Sequence, residues 1–140
     1  VTIAVPAYNR PALLREALSS IAQQTARIPI EVIVCDDGLM EETREVVGRF
    51  SDFDYVYLPN AAPLGAVGNW NRCLKAARGE FVMVLHEDDA LYPWYLEKVL
   101  PRMREGVAAV CMKTSRGTVQ PTVPRPGAAE SAEYPPGYFL

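Results

Sequence analysis

Phe81-Val82-Met83-Val84-Leu85-His86-Glu87-Asp88-Asp89-Ala90 sets five apolar residues directly against an imidazole and three consecutive carboxylates. A continuous apolar run of this length reads as a buried strand in a parallel sheet covered on both faces. The acidic cluster then falls where that strand leaves the sheet. Carboxylates packed this closely repel one another unless they are solvated or neutralised. A divalent cation with oxygen ligands would neutralise them. A solvated acidic turn ahead of the next helix is the other reading, and the cluster alone leaves both open.

Working outward, Val1-Thr2-Ile3-Ala4-Val5 reads as a first strand, rich in β-branched and apolar residues, and Pro6-Ala7-Tyr8-Asn9-Arg10-Pro11 breaks it. Pro11 suits the first turn of a helix, where its missing N–H costs nothing. Leu13, Ala17 and Ile21 recur at four-residue steps, as do Leu14, Leu18 and Ala22, giving one broad apolar face that ends near Gln24-Thr25. Ile30 to Cys35 reads as the second strand and runs into Asp36-Asp37-Gly38, where glycine favours a tight turn. Glu41 to Phe50 reads as a helix with acidic residues in its first turn, as the helix dipole prefers. Tyr55 to Leu58 is a third strand, Pro59 to Val67 a loop, and Gly68 to Arg78 a helix with Gly79 as its C′ residue.

On the other side of the opening stretch, Pro93 starts a helix with Leu96, Val99, Leu100 and Met103 on its apolar face. Pro101 falls inside that pattern and should kink it or end it early. Val107 to Met112 is a fifth strand. Strands alternating with helices indicate an α/β fold with a mostly parallel sheet. Residues 113–140 carry five prolines and three glycines and hold no periodic apolar pattern. They read as a long loop or ordered tail, with Tyr134, Tyr138 and Phe139 as anchors.

The chain has 140 residues, 49% hydrophobic and 22% charged, the balance of one soluble globular domain. A net charge of −3 gives no electrostatic ground for nucleic acid or an anionic membrane as partner. No apolar run approaches a membrane span, and no signal-peptide pattern opens the sequence. The three cysteines, Cys35, Cys73 and Cys111, are widely separated and sit among apolar neighbours. They argue for small core residues in a reducing compartment rather than for a disulfide framework.

In an open parallel sheet, ligands bind beyond the carboxyl ends of the strands. The unusual polar residues fall there repeatedly: Tyr8, Asn9 and Arg10 after the first strand, Asp36 and Asp37 after the second, Asn60 after the third, His86 to Asp89 after the fourth. Any one group could be a turn or a cap. Four groups at one sheet edge point to a shared site. Neither G-x-G-x-x-G after the first strand nor G-x-x-x-x-G-K-[ST] is present, which removes the dinucleotide fingerprint and the P-loop. Gly65-Ala66-Val67-Gly68 precedes a helix and could approach an anion with backbone amides. A nucleotide diphosphate bridged by a divalent ion fits this arrangement, with Tyr8 offering a flat face to a base.

Val5-Pro6-Ala7-Tyr8-Asn9-Arg10, Val34-Cys35-Asp36-Asp37-Gly38, Asn60 with Gly65, Asn71 with Ala77-Arg78-Gly79-Glu80, and Leu85-His86-Glu87-Asp88-Asp89 together resemble glycosyltransferase family 2. Each motif is short, but five follow in the family's order over roughly residues 1–112. The resemblance implies a GT-A fold whose nucleotide-binding half is a Rossmann-like, mostly parallel sheet with helices on both faces. It implies a nucleotide-diphosphate sugar donor and transfer with inversion, an Asp or Glu base deprotonating the acceptor hydroxyl. Carried over by position, Pro6, Ala7 and Tyr8 would line the base pocket and Arg10 would reach a phosphate. Asp37 would accept a hydrogen bond from the base, and Asn60 and Gly65 would complete the donor site. Asp88 would contact the ribose or the metal, and Asp89 would be the ligand of Mg2+ or Mn2+.

Two departures stand out. His86 and Glu87 occupy places where the family often has Asp and a small residue. His86 reads as a group hydrogen-bonding to the metal's ligands, a weak metal ligand itself, or a histidine packed at the strand end. In addition, the family's acceptor half and base follow well beyond the acidic motif, and Glu130 and Glu133 match no base motif. The chain is therefore expected to be the donor-binding part of a larger enzyme: residues 1–112 bind the nucleotide-diphospho-sugar, and 113–140 begin a truncated acceptor region. The catalytic base would lie outside it. The acceptor, carbohydrate, lipid or protein, stays open. The expected setting is cytoplasmic or the inner face of a membrane, and an uncovered sheet face would favour a homo-oligomer. Other readings are a nucleotide-sugar-binding module without chemistry, a nucleotidyltransferase, which would want a glycine-rich basic loop after the first strand, and a response-regulator-like domain using Lys113.

Overall fold

A computed structural model describes residues 1–50 and 54–103, together with the backbone of 109–112 and 131–134. The chain divides into two compact units, Val1–Gln23 with Arg27–Leu91, and Gln24–Ala26 with Tyr92–Leu140.

The first unit is built on four parallel strands: β1 (Thr2–Ala7), β2 (Glu31–Asp36), β3 (Asp54–Pro59) and β4 (Val82–Val84), in the order β3-β2-β1-β4. The two central strands are buried at every position, which explains their unbroken apolar reading. Helices α1 (Pro11–Ala22), α2 (Glu41–Gly48) and α3 (Gly65–Ala76) alternate with them, giving the expected α/β architecture. Ala4, Ile33 and Cys35 pack with Cys73 of α3. Strand alternation sends Ile3, Val5, Val32 and Val34 to the other face. Leu14, Ala17, Leu18 and Ile21 form the buried stripe of α1, and Val46 and Val47 are buried on α2, which packs against α1. Each fully buried Leu, Ile or Val contributes about 1.5–3 kcal/mol. Cys35 and Cys73 form no disulfide and are buried in this core, and the hydrogen bond between them, then burial, pushes the Cys73 thiol far up.

Pro6 sits inside β1 without breaking it. β4 pairs only with Thr2 to Ala4, and the sheet has lost that neighbour by the level of Pro6. There a missing N–H is tolerated.

The amino ends of the strands are pinned by one buried carboxylate. Glu31 accepts hydrogen bonds from the Thr2 hydroxyl (2.6 Å), the Arg78 backbone N–H (3.0 Å) and the Arg78 Nε. Arg78 Nη2 also donates to Asp54 at 3.1 Å, reaching β3. Burial pushes the Glu31 carboxyl up, but Thr2 and Arg78 outweigh it and hold it below its ordinary value. The Ala77-Arg78-Gly79-Glu80 motif thus serves the sheet's amino end.

Several expectations are corrected. Phe81 to Leu85 is not a strand buried on both faces: β4 spans three residues at the edge of the four-stranded sheet, and Val82 is 39% exposed. The third helix begins at Gly65 rather than Gly68, so Gly65 to Val67 are helical and the loop is shorter. Gly79 is not a left-handed C′ residue; the helix ends at Ala76, and the one glycine with positive φ is Gly65 among the described residues. Gly79 instead permits a close approach, since a Cβ there would lie 2.7 Å from the Thr2 backbone nitrogen.

In the second unit, α4 (Tyr95–Val99) gives way to a 3-10 turn at Leu100–Arg102 that contains Pro101, as the proline requires. Gln24 and Thr25, expected to end the first helix, bond here instead: Gln24 accepts the Leu96 N–H and donates to the Tyr92 carbonyl, and Thr25 donates to Glu97. The fifth strand, β5 (Ala109–Met112), does not extend the parallel sheet. It pairs antiparallel with β6 (Ser131–Tyr134), a regular element inside the segment read as loop. The side chains of Cys111 and Tyr134, and Lys113, Glu130, Tyr138 and Phe139, lie outside the described residues.

Gly79→Ala should lower stability by about 1–3 kcal/mol, because the added methyl meets backbone that cannot yield. Gly48→Ala, whose Cβ meets nothing within 4 Å, should be neutral or stabilising by up to about 1 kcal/mol. Urea unfolding of both variants checks the contrast.

Candidate functional site

A cleft of about 420 Å³ opens at the carboxyl ends of β1, β2 and β4, where an open parallel sheet holds its ligands. Pro6, Ala7, Tyr8 and Arg10 line it from β1 and the following turn, and Asp37 lines it from β2. Pro63, Gly65, Ala66, Asn69 and Trp70 come from the start of α3, and His86 and Glu87 from the turn after β4.

Asp37 is buried and caps α3. Its Oδ1 accepts the Leu64 N–H (2.7 Å) and the Asn60 side-chain amide (2.5 Å), and its Oδ2 accepts the Gly65 N–H (2.9 Å). The anion at this helix N-terminus is therefore a residue of the protein itself. Burial pushes the Asp37 carboxyl up, but the Leu64 amide, Asn60 and the Gly65 amide outweigh it and bring it below the ordinary aspartate value. Asp37 lines the cleft, and its Oδ2, with one N–H accepted, retains acceptor capacity.

Two buried asparagines hold this arrangement. The Asn60 amide donates also to Asn69 Oδ1 (3.0 Å), while its carbonyl accepts from Arg72. Asn69 donates to the carbonyls of Cys35 (2.9 Å) and Ala7 (3.4 Å), tying the ends of β1 and β2 to α3. Asp36, grouped with Asp37 in the sequence, is wholly buried and faces elsewhere. It accepts the Tyr57 hydroxyl (2.7 Å) and the Gly38 N–H (2.9 Å). Burial first, and then Asp36, push the Tyr57 phenol well above its ordinary value. Gly38 lets the second turn approach the first, since a Cβ would lie 2.7 Å from the Asn9 backbone nitrogen.

Glu87 is 3% exposed and reaches across to the first turn, accepting the Tyr8 N–H (2.9 Å) and Arg10 Nε (2.7 Å). Burial raises its pKa, and the bonds from Tyr8 and Arg10 offset that only in part. Arg10 Nη1 donates in turn to Asp88 Oδ2 at 2.9 Å. Tyr8 is left 54% exposed. Trp70 meets His86 edge-on, with ring centroids 5.1 Å apart.

Of the residues singled out in the sequence, Pro6, Ala7, Tyr8, Arg10, Asp37 and Gly65 share the cleft. Asn60 lies buried behind Asp37. Asp88 and Asp89 are exposed beside the cleft and do not line it; the Asp89 N–H donates to the His86 carbonyl at 3.0 Å. No cluster of three metal-ligating side chains occurs among the described residues. Two adjacent exposed carboxylates still suit magnesium, which is commonly bound through one or two carboxylates plus substrate phosphates and water.

The sequence reading singles out neither Asn69 nor Trp70, and it groups Glu87 with the acids after the fourth strand without giving it a role of its own. Asn69 and Trp70 follow Gly65 by about one helical turn, a signal that a helix starting at Gly65 would have supplied. Glu87 is separated from its partners Tyr8 and Arg10 by 79 and 77 positions. Only the fold brings them together.

Residues 2–137 match the model of glycosyl transferase family 2. The chain belongs to that family. It is 32% identical over its whole length to a Campylobacter jejuni GalNAc(5)-diNAcBac-PP-undecaprenol beta-1,3-glucosyltransferase, of which it covers 47%. In structure it resembles Staphylococcus aureus TarS 1-349 in complex with UDP: TM-score 0.72, 28% identity, 86% of this chain and 38% of that one. It also resembles the Pyrobaculum calidifontis mannosyltransferase PcManGT in complex with GDP-Man and Mn2+, with a TM-score of 0.68 and 27% identity, over 82% of this chain and 35% of that one. This family 2 chain thus spans about half the length of that curated relative, and less of these structures. No described helix is long and apolar enough to cross a membrane.

Asp37→Ala should cost about 2–3 kcal/mol at neutral pH, the loss of a cap and of charge-assisted bonds. Because its folded pKa is depressed, the Asp37 contribution is present above its unfolded value of about 3.8 and disappears as the pH falls through the lower folded value. Urea unfolding from pH 6 down to pH 2 should show a shallower acid loss for Asp37→Asn than for wild type.

Proposed function

We propose that this chain is the donor-binding part of a glycosyltransferase that takes a nucleotide-diphosphate sugar and transfers the sugar with inversion. The observation that carries this reading is the convergence of Pro6, Ala7, Tyr8, Arg10, Asp37 and Gly65 in one cleft at the carboxyl edge of the sheet. The structural neighbours captured with UDP and with GDP-Man support it.

In this reading the exposed Tyr8 ring offers a face to the base, with Pro6 and Ala7 as the floor. Asp37 Oδ2 accepts a ring N–H. That carboxylate is already oriented by its bonds to α3, so little ordering accompanies binding. Asn60 acts through Asp37, and Gly65 brings backbone close to the donor. Arg10 directs N–H groups to the diphosphate, a planar fork matched to phosphate oxygens.

Asp89, with Asp88 beside it, would hold Mg2+ or Mn2+. The manganese in the Pyrobaculum complex supports a divalent ion here. Such an ion supplies Lewis-acid stabilisation of the negative charge that builds on the departing nucleotide diphosphate. Glu87 is committed to Tyr8 and Arg10, so it is not offered as the acceptor base. The base belongs, in this proposal, to an acceptor region that residues 113–140 begin. The Campylobacter relative is named for an undecaprenol-diphosphate-linked saccharide, which makes a lipid-linked carbohydrate the first acceptor to try and the inner face of a membrane the setting.

Calorimetric titration of UDP, GDP and dTDP, with and without Mn2+, tests the reading. One nucleotide should bind in a manganese-dependent way, and Asp89→Ala should weaken it by about ten-fold or more. Absence of binding by all three, with metal present, would sink the donor-site assignment. Sugar transfer from the matching donor by these 140 residues alone should be negligible, since no acceptor base is assigned within them.

A further inference from the structure

We propose that Arg10 is a positioning residue that restrains Asp88 from the cation site until a diphosphate displaces it. This rests on the donor reading above.

The geometry separates the two acidic partners of Arg10. Its Nε donates to Glu87, whose side chain is 3% exposed and whose other oxygen accepts the Tyr8 N–H. That end of the guanidinium is anchored. Its Nη1 donates to Asp88 at 2.9 Å, where both side chains are about half exposed, 50% for Arg10 and 47% for Asp88. Exposed ion pairs of this kind are weak and readily exchanged. A diphosphate offers more charge and more acceptor oxygens than one carboxylate, and it meets the guanidinium fork in bidentate fashion. The outer N–H group can therefore pass from Asp88 to the diphosphate while Nε stays on Glu87.

The exchange has a consequence for Asp88. The bond to Arg10 fixes the direction of the Asp88 carboxylate and sets a positive charge beside it; both weaken it as a ligand for a divalent cation, although Oδ1 and a second lone pair on Oδ2 stay open. Released by the diphosphate, Asp88 becomes available next to Asp89. Cation and diphosphate would then favour each other's binding through Arg10 as well as through direct contact. That coupling must be reciprocal. Glu87 holds the pivot, which gives the buried acid between the base turn and the metal turn a positioning role.

Manganese affinity in the absence of nucleotide, read by electron paramagnetic resonance, tests the restraint on four proteins: wild type, Arg10→Gln, Asp88→Asn and the double variant. A glutamine amide can still donate to Glu87 but cannot also hold Asp88. Arg10→Gln should tighten Mn2+ about two- to five-fold, and the gain should vanish when Asp88 is already Asn. A gain of equal size in both backgrounds would mean only that a nearby positive charge was removed, and it overturns the proposal. So does no gain in either, or no Mn2+ bound by Arg10→Gln at millimolar metal. The same four proteins titrated with UDP and Mn2+ keep the two readings apart. Wild type that binds UDP without the metal-affinity gain in Arg10→Gln loses the restraint alone. Wild type that binds no nucleotide diphosphate loses the donor site.

Discussion

The Asp37 carboxylate is the interaction on which the site depends. It lies at the end of a central strand, buried, and its charge is tolerable there only because three donors face it: two amides at the start of α3 and the side chain of Asn60. Those donors also fix α3. A helix that begins with two glycines in its first four residues has weak intrinsic reason to start there. Once Asp37 satisfies its first amides, α3 begins at Gly65, and Asn69 falls where it can bond the carbonyls that end β1 and β2. Trp70 then reaches the cleft wall. Removing the charge would remove the reason for each of these placements in turn.

The opposite end of the sheet solves the same problem differently. Glu31 is also buried at a strand end, and it is neutralised by an arginine rather than by a helix. Arg78 is largely exposed, with Asp54 as its second partner, so this end is closed by groups facing water. The carboxyl end keeps its arginine, Arg10, off the buried Asp37 and leaves cleft space between them. One end of the sheet is a clamp and the other a receptacle, although each uses a buried acid. The difference lies in which donors arrive and from how far along the chain.

That distance explains what could be read in advance. β1 and β2 were legible because burial on both faces writes itself into local composition as an unbroken apolar run. The convergence of Tyr8, Arg10 and Asp37 was legible because topology alone places the carboxyl ends of parallel strands on one edge. The opening stretch was misread for the same reason that it was noticed. An apolar run does not say whether a strand has neighbours on both sides, and β4 lies at the edge of its sheet. The start of α3 was missed because its cap is 27 and 28 residues upstream, outside any local window. Glu87 looked like one acid among three. Nothing in Glu87-Asp88-Asp89 marks which of them turns inward, and only the packing of the first turn against the fourth strand end decides it. The antiparallel pairing of β5 with β6 was hidden by the prolines and glycines around Ser131–Tyr134, which suggest loop even where four residues extend.

The two halves of the candidate site are therefore held to different degrees. Around Asp37, the side chains of Asp37, Asn60 and Asn69 are buried and bonded to one another, so the proposed base site would be a fixed surface. At the acidic turn, Asp88 and Asp89 are exposed, and Asp88 is engaged by Arg10, the arginine proposed to meet the diphosphate. In the proposed reading, a surface of that kind would be completed by its ligand. The asymmetry follows from electrostatics. A buried acid must be paired at folding, whereas two exposed acids can be kept apart by water and one cationic side chain. Glu87 joins the two regimes: it is buried like Asp37, yet its partner Arg10 extends to the exposed Asp88. Through that single guanidinium, the turn after β1 is tied both to the buried Glu87 and to the exposed Asp88 of the turn after β4.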